Sequence, residues 1–423
     1  MAVLGGAGFD APAASGLAIV ALALLALAGA HDTPLLQPGR ASVVRIALLG
    51  AATGALAAAL HFTAATNTWR LAGGALGGWS ALMTARIGVF AVLASLGRGG
   101  TRGRILILGR GALATRIAEG VRAHEHAGLR LVGYLADGAG ERGEAGSLGP
   151  WLGPVGHLEK VLRELSVGRI VVASGDARSA PVEDALIAAR LAGIVVESGA
   201  DCFEWLYGRL ALEVPSRQLL LDGGGFEPSL VFEPLKRAGD VVLAIVGLLL
   251  ASPLLALAAL AIKLDSPGPV LFRQVRLGRA GQRFPLWKLR SMVEGAEDAG
   301  PALAEVGDPR VTRVGRFLRR TRIDEIPQLW NVLRGDMSLV GPRPERPEFY
   351  DELVDRFPLF RHRLAVRPGL TGWAQVQQGY VNDWDGFGLK LSYDLFYLKR
   401  RCAALDARVI WRTAWEMVRL KGV

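Results

Sequence analysis

The stretch DVVLAIVGLLLASPLLALAALAIKLD, residues 240–265, limits what this chain can become more than any other part of it. Thirteen of the residues from Val241 to Ile262 are Val, Leu or Ile. At roughly 0.3–0.6 kcal/mol each they favour entry into a bilayer by about 4–8 kcal/mol before polar groups are counted. Ser252 and Pro253 fall near the centre. Proline removes one backbone donor and clashes with the preceding turn, and an adjacent serine can satisfy the freed carbonyl, so a break is expected there. Lys236 and Arg237 precede the segment, and Lys263, Arg273, Arg276 and Arg279 follow it. Positive flanks mark the cytoplasmic side. The expected path is therefore re-entrant: a helix over about 240–262 that dips in, breaks at Ser252 and Pro253, and returns to the face it left. A kinked spanning helix is the alternative, and it would put residues 263–423 outside the cell.

Three further apolar runs, at 13–30, 43–60 and 74–97, approach the ~20 residues of a bilayer crossing and make residues 1–98 an N-terminal membrane region. They help to raise the apolar share to 51% of 423 residues, a length that needs more than one core. The net charge of +10 favours anionic partners. Beside membrane segments these are lipid headgroups and phosphorylated small molecules, not nucleic acid, for which no recognised module appears. With only Cys202 and Cys402, a disulfide framework is not expected, and the six scattered histidines form no zinc spacing.

Residues 99–222 alternate strand and helix signals. RILILGRGALATRIAEGVRAH reads as an apolar strand, then Gly109, Gly111 and Ala114 in a G-x-G-x-x-A pattern, then a helix. LRLVGYLAD, RIVVASGD and GIVVESGA continue the series, so a Rossmann-like parallel sheet is expected. Gly109 and Gly111 would let a phosphate approach the helix. An acid about 20 residues beyond the glycines should hold a ribose, and Asp137 comes later than that. A structural or regulatory module stands as an equal reading.

The stretch RTRIDEIPQLWNVLRGDMSLVGPRP, from Arg320, sets Asp324 and Glu325 among arginines. Pro327 belongs in the first turn of a helix, which places the N-cap between about Ile323 and Ile326. Ile326, Leu329, Trp330 and Leu333 then share one apolar face until Gly335. Both carboxylates would sit at the positive end of that helix, where ionised forms and phosphate are favoured. An ionised aspartate there can attack phosphorus. Its repulsion with phosphate would be cancelled by Arg319, Arg343 and a divalent cation on the second carboxylate, for which Mg2+ is the natural choice. The plain reading is a capped helix with a solvated acidic pair.

Residues 233–423 resemble the bacterial sugar transferases, the monotopic phosphoglycosyl transferases that load a sugar phosphate onto polyprenyl phosphate. The resemblance is carried by KRAGD with the Ser252 and Pro253 break, GPVLFRQVRLGRAGQRFPLWKLRSM, GDPRVTRVGRFLRRTRIDEIPQLWNVLRGDMSLVGPRPERP, VRPGLTGWAQV and KLSYDLFYLKRR. The preceding regions resemble the long, hexose-using members, and DCFEWLYGRLALEV is similar to the branch linked to exopolysaccharide and exosortase systems. The resemblance implies a mainly α catalytic domain over 223–423 with the re-entrant helix, at the bacterial inner membrane and on its cytoplasmic face. It implies that Asp324 attacks the β-phosphate of a UDP-sugar, UDP-glucose or UDP-galactose, releasing UMP, and that undecaprenyl phosphate then takes the phosphosugar to start exopolysaccharide or O-antigen-type synthesis. Glu325 would hold Mg2+, Arg319 and Arg343 would contact phosphate, and Lys288, Arg290, Gln274 and Arg276 are the next substrate-binding candidates. A second copy of the chain and downstream glycosyltransferases complete the expected partners. Two departures stand out: Arg322 where many relatives have serine, and three N-terminal membrane segments where long members show four.

The chief rival is a membrane-anchored nucleotide-sugar oxidoreductase or dehydratase working through the G-x-G-x-x-A domain. Such enzymes need Tyr-x-x-x-Lys for proton transfer. None of the six tyrosines has lysine four places on.

Overall fold

A computed structural model describes residues 103–137, 148–173, 179–212, 226, 232–296, 298, 300, 308–379 and 383–418. The membrane runs expected at 13–30, 43–60 and 74–97 lie outside the described residues. The chain divides after Leu219 into two units.

In the first unit β1 (Arg104–Leu108), α1 (Ala112–Ala123), β2 (Arg130–Leu135), α2 (Leu158–Glu164), β3 (Arg169–Val172), α3 (Ala180–Leu191), β4 (Val195–Ser198) and α4 (Gly199–Tyr207) follow in turn. The strands form one sheet in the order β2-β1-β3-β4, and every pairing is parallel. Trp151 adds a parallel bridge to Tyr134 beyond β2. A parallel sheet covered on both faces needs unbroken apolar strands, and Ile105 to Leu108 are wholly buried. Alternate residues serve two cores. Ile105 and Ile107 pack with Ile117, Val121 and Phe203, while Leu106 and Leu108 pack with Leu158, Val161 and Val182. Gly109 (φ 99°) and Gly111 (φ 110°) take the left-handed turn between β1 and α1.

The second unit contains α5 (Phe232–Asp265), β5 (Leu271–Leu277), β6 (Arg283–Leu289), α6 (Arg313–Thr321), α7 (Gln328–Arg334), β7 (Ser338–Val340), α8 (Pro347–Arg356), β8 (Gly369–Thr371), α9 (Trp373–Gln378), α10 (Trp384–Arg400) and α11 (Ala403–Val418). Strands β5 and β6 form an antiparallel hairpin, and β7 and β8 a short parallel pair.

Helix α5 has a mean hydropathy of 2.7 in its most apolar window, of which 11% is buried. Leu249, Leu250 and Leu257 are 68%, 76% and 66% exposed. The core helix of a soluble domain would hide these side chains, so α5 has the length and the exposed apolar surface of a candidate membrane helix. The break expected at Ser252 and Pro253 does not interrupt it: helix runs unbroken from Phe232 to Asp265. Pro253 cannot donate to the carbonyl four residues back, and the Ser252 hydroxyl donates to that same Leu249 carbonyl at 2.8 Å.

Both ends of α5 are fastened to the same unit. Arg237 donates to the carbonyls of Val332 (2.6 Å) and Leu333 (2.9 Å) in the last turn of α7. The Asp240 carboxylate accepts from the Leu339 N–H, and Lys236 pairs with Asp406 at 2.6 Å. At the far end Asp265 accepts from the Val314 N–H, the second residue of α6, at 3.0 Å. Ala244 packs with Phe284, Leu286 and Val332; Ala258 and Ile262 pack with Leu289 and Leu318.

Thr312 caps α6 by accepting from the Gly315 N–H at 2.9 Å. Arg322 ends α6 in the left-handed conformation (φ 57°), a place glycine usually takes. The chain then makes a 3-10 turn over Ile323–Glu325 before Pro327 leads into α7, which Gly335 closes at φ 89°. The cap thus falls at Pro327, just past the expected window, and the acidic pair occupies a turn of its own.

Gly315 lies so close to β6's exit that a Cβ there would overlap the carbonyl oxygen of Ser291. On an ordinary helix surface Gly→Ala stabilises by up to about 1 kcal/mol. Gly315→Ala should instead cost about 1–3 kcal/mol by overpacking, read as a lower melting temperature of the purified chain.

Candidate active site

Four elements deliver charged side chains to one point. The turn between α6 and α7 supplies Asp324, 6% exposed, and Glu325. Strand β6 supplies Lys288, helix α6 supplies Arg319, and the loop after β7 supplies Arg343. Arg343 Nη2 lies 2.8 Å from Glu325 Oε1, and Lys288 Nζ is 3.7 Å from the same oxygen. Arg322 Nη1 stands 3.8 Å from Oε2. Arg319 donates from Nε to the Ser291 hydroxyl at 3.0 Å, and its charge also reaches Asp324.

The two neighbouring carboxylates are driven in opposite directions. Burial raises the carboxyl of Glu325, but Arg343, Lys288 and Arg322 outweigh it and hold the group at about 2. For Asp324, burial and the adjacent Glu325 charge win over Lys288, Arg319 and Arg343 and push it up to about 6. A place at the positive end of a helix favours the ionised form of both carboxylates. Desolvation reverses that for Asp324, because the carboxylate is buried in a separate turn. Near neutral pH Asp324 is still ionised but poorly stabilised, the kind of perturbed group that marks a candidate functional site.

Arg343 is held by its backbone as well as its charge. Pro342 and Pro344 restrict its flanks, Arg363 donates to the Arg343 carbonyl at 3.0 Å, and Arg276 donates to the Pro344 carbonyl at 3.1 Å. Arg363 is itself locked between Asp394 (2.7 Å) and Glu345 (3.2 Å), and Lys390 joins Glu345 at 2.5 Å. Burial raises the Glu345 carboxyl, but Lys390 and Arg363 bring it to about 2. Sequence reasoning missed Glu345, Arg363, Lys390 and Asp394. Their one local signal is the spacing of Lys390 and Asp394, four apart on the largely buried helix α10.

Other expected residues take different places. Arg290 is turned away from the carboxylates: its guanidinium donates to the carbonyls of Ser266 (2.7 Å) and Pro267 (2.6 Å), tying β6 to the end of α5. Gln274 accepts from Arg276 at 2.5 Å, so this pair borders the Arg343 loop. In the first unit Gly109 and Gly111 form the turn after β1, and open space faces Gly111. The Asp137 carboxylate is engaged by the Val155 N–H at 2.9 Å. Among the described residues no three His, Cys, Asp or Glu side chains gather as a metal site.

A buried and a half-buried carboxylate ringed by lysine and arginine, in the same unit as a candidate membrane helix, put this unit in the class of membrane-associated proteins with a strongly cationic site. The model of the bacterial sugar transferase family matches residues 231–420. The UDP-glucose:undecaprenyl-phosphate glucose-1-phosphate transferase of Caulobacter vibrioides is 47% identical over 202 residues, 47% of this chain and 76% of that protein. The chain belongs to the bacterial sugar transferase family.

The UDP-N-acetylgalactosamine-undecaprenyl-phosphate N-acetylgalactosaminephosphotransferase of Aeromonas hydrophila is 42% identical over 223 residues, 53% of this chain and 52% of that protein. Similarity to the undecaprenyl-phosphate glucose phosphotransferase of Komagataeibacter xylinus, 36% over 330 residues, covers 73% of this chain and 58% of that one. The chain thus spans about half the length of several relatives it matches. These relatives are transferases, and the oxidoreductase reading has no support among them.

Asp324→Asn should stabilise the fold near neutral pH. The folded-state carboxyl is raised to about 6, so above that pH the native protein carries a charge that weakens it, by on the order of 2–3 kcal/mol. As pH falls through 6 the wild type takes up its proton in the folded state first and closes the gap. Melting curves should therefore separate at pH 7.5 and converge towards pH 4.

Proposed function

We propose that this protein transfers a sugar 1-phosphate from a UDP-sugar, UDP-glucose or UDP-galactose, to undecaprenyl phosphate, the step that begins an exopolysaccharide or O-antigen-type glycan. The observation that carries the reading is the split between Asp324 and Glu325, which leaves one carboxylate neutralised by cations and the other desolvated and reactive. Asp324 attacks the β-phosphorus of the donor. The new bond joins its oxygen to that phosphorus, the bridging P–O bond breaks, and UMP departs. Undecaprenyl phosphate then attacks the same phosphorus, forming the diphosphate and freeing the Asp324 carboxylate. Lys288, Arg319 and Arg343 carry positive charge to the phosphates. The buried network behind Arg343 keeps that guanidinium from following the leaving group.

Magnesium fits this donor set. Glu325 Oε1 is occupied by Arg343, while Oε2 has Arg322 at 3.8 Å, beyond hydrogen-bond length. That oxygen is open to a cation that prefers one or two carboxylates together with substrate phosphates. Bound there, magnesium would neutralise phosphate charge during transfer.

We further infer that α5, although unbroken, is re-entrant in the sense that it enters the inner membrane without crossing it, and that it keeps the catalytic unit on the cytoplasmic face. A Cβ at Gly247 would touch Leu329 at 3.0 Å, and packing resumes at Leu255. Residues 248–254 between them offer about 10 Å of helix, against the ~30 Å of a hydrocarbon core. The packed body would have to enter the bilayer for α5 to cross it. The first unit is read as a Rossmann-like module on its parallel sheet and glycine turn.

Purified protein given a panel of UDP-sugars, undecaprenyl phosphate and Mg2+ should release UMP and make a lipid-linked product. Mass spectrometry of enzyme trapped without acceptor should find a phosphosugar on Asp324, absent in Asp324→Asn. Adduct formation should rise with pH and be half-maximal near 6, since the nucleophile must be ionised. An adduct elsewhere, or full turnover by Asp324→Asn, would defeat the assignment.

For the topology, Cys402 is exposed and Cys202 buried, so a Cys402→Ser background suits labelling. Gly239→Cys has open space around it, and Leu264 is 80% exposed. Both introduced thiols should react from the cytoplasmic side of oriented vesicles; labelling from opposite sides would mean that α5 spans.

A further inference from the structure

The β5–β6 hairpin has one face that belongs to the active site. Its register sets Phe272 opposite Lys288, Gln274 opposite Leu286 and Arg276 opposite Phe284. Directly opposed and alternate residues share a face, so Phe272, Gln274, Arg276 and Lys288 stand together on one side. Lys288 reaches Glu325 at 3.7 Å, and Arg276 holds the Pro344 carbonyl beside Arg343. At one end of this row lie the hydrogen-bonded Gln274 and Arg276. At the other end is an aromatic ring, Phe272, 37% exposed beside a lysine of the catalytic cluster.

The apolar end is also the membrane end. Strand β5 starts at Leu271, shortly after α5 stops at Asp265. The link is rigid: Arg290 takes the Ser266 and Pro267 carbonyls, and Lys263 takes the Gly268 carbonyl at 2.9 Å. Gly268 has φ +112°, and a side chain there would collide with the Arg290 guanidinium. Phe272 is thereby held close to the end of the membrane helix. Leu264 at the end of α5 is 80% exposed, and Leu271, which precedes Phe272 and points to the other face of β5, is 44% exposed, so both sides of this stretch present apolar side chains.

Of the two substrates proposed above, one is an amphiphile whose phosphate must reach the Asp324 adduct while its isoprenoid chain stays in the bilayer. We propose that Phe272 seats the first isoprene unit of the polyprenyl phosphate acceptor, so that the acceptor phosphate lies beside Lys288, and that the Gln274–Arg276–Arg343 end of the same face receives the nucleotide. The inference rests on the transferase reading. In the step it serves, an acceptor phosphate oxygen bonds to the phosphorus on Asp324, the Asp324–phosphorus bond breaks, and the carboxylate leaves. A water-soluble nucleotide has no need of the membrane end, whereas the lipid cannot avoid it.

The test separates the half-reactions. Phe272→Ala, Phe272→Leu and Phe272→Tyr are compared with wild type, with melting temperatures confirming the fold. UMP release without acceptor should keep its dependence on UDP-sugar in all of them. Transfer from the preformed adduct should need about tenfold more polyprenyl phosphate in Phe272→Ala, the loss of one buried apolar side chain, and Phe272→Leu should recover most of it. An unchanged acceptor requirement would overturn the inference. So would a raised UDP-sugar requirement rescued by Tyr but not Leu, which would make Phe272 a platform for the base. If wild type itself releases no UMP, the transferase reading falls first, before any variant is compared.

Discussion

The contact between Arg343 and Glu325 is the one on which the site's chemistry depends. Two adjacent carboxylates in a turn that buries Asp324 and half-buries Glu325 repel each other and lose hydration, so both would be pushed towards the protonated form. Arg343, 2.8 Å from Glu325, stabilises one of them as an anion. That fixed anion then adds to the burial that raises Asp324. Carboxyl groups on consecutive residues are thus driven in opposite directions because the Arg343 guanidinium bonds directly to one of them. Lys288 and Arg319 moderate the effect on Asp324, so that it is raised without being neutral at physiological pH.

Such a contact demands that Arg343 be immobile, and the rest of the unit supplies this. Its carbonyl is bonded to Arg363, whose own charge is shared between Asp394 and Glu345. A buried ionic cluster is weak evidence for stability, since desolvation offsets most of its attraction. Its worth here lies in direction: each member has one satisfactory geometry, and the chain end of the cluster is the loop that carries Arg343. Tyr397 extends the same logic on α10, donating to Asp406, which in turn holds Lys236 at the base of α5.

Sequence carried the parts of this arrangement that are local. The apolar run of α5 and the strand-glycine-helix pattern of β1 and α1 follow from side-chain types over short windows, and so does the acidic pair beside Pro327. The break at Ser252 and Pro253 was misjudged in form because one hydroxyl suffices to satisfy the carbonyl that proline orphans. Arg290 lies two residues beyond Lys288, just past the end of β6, and the two basic residues cannot be told apart by sequence spacing. Which of them meets the carboxylates and which meets the end of α5 depends on contacts with Glu325 in one case and with Ser266 and Pro267 in the other. Glu345, Arg363 and Asp394 are scattered along the chain and meet only after α8, the turn that follows it and α10 have packed. Arg322 was read as a departure from a serine, yet its left-handed backbone is what swings the chain out of α6 and turns its guanidinium back towards Glu325.

The long apolar helix α5 also organises the unit around it. Its first half grips the end of α7 through Arg237 and the start of β7 through Asp240, while its last residue grips the start of α6 through Asp265. Helices α6 and α7 flank the turn that holds Asp324 and Glu325, so the carboxylates hang between two elements that α5 fixes. Any change in the depth or shape of α5 is transmitted to both flanks at once. The position of the acidic pair is thus tied to the helix by the same contacts that hold its two flanks.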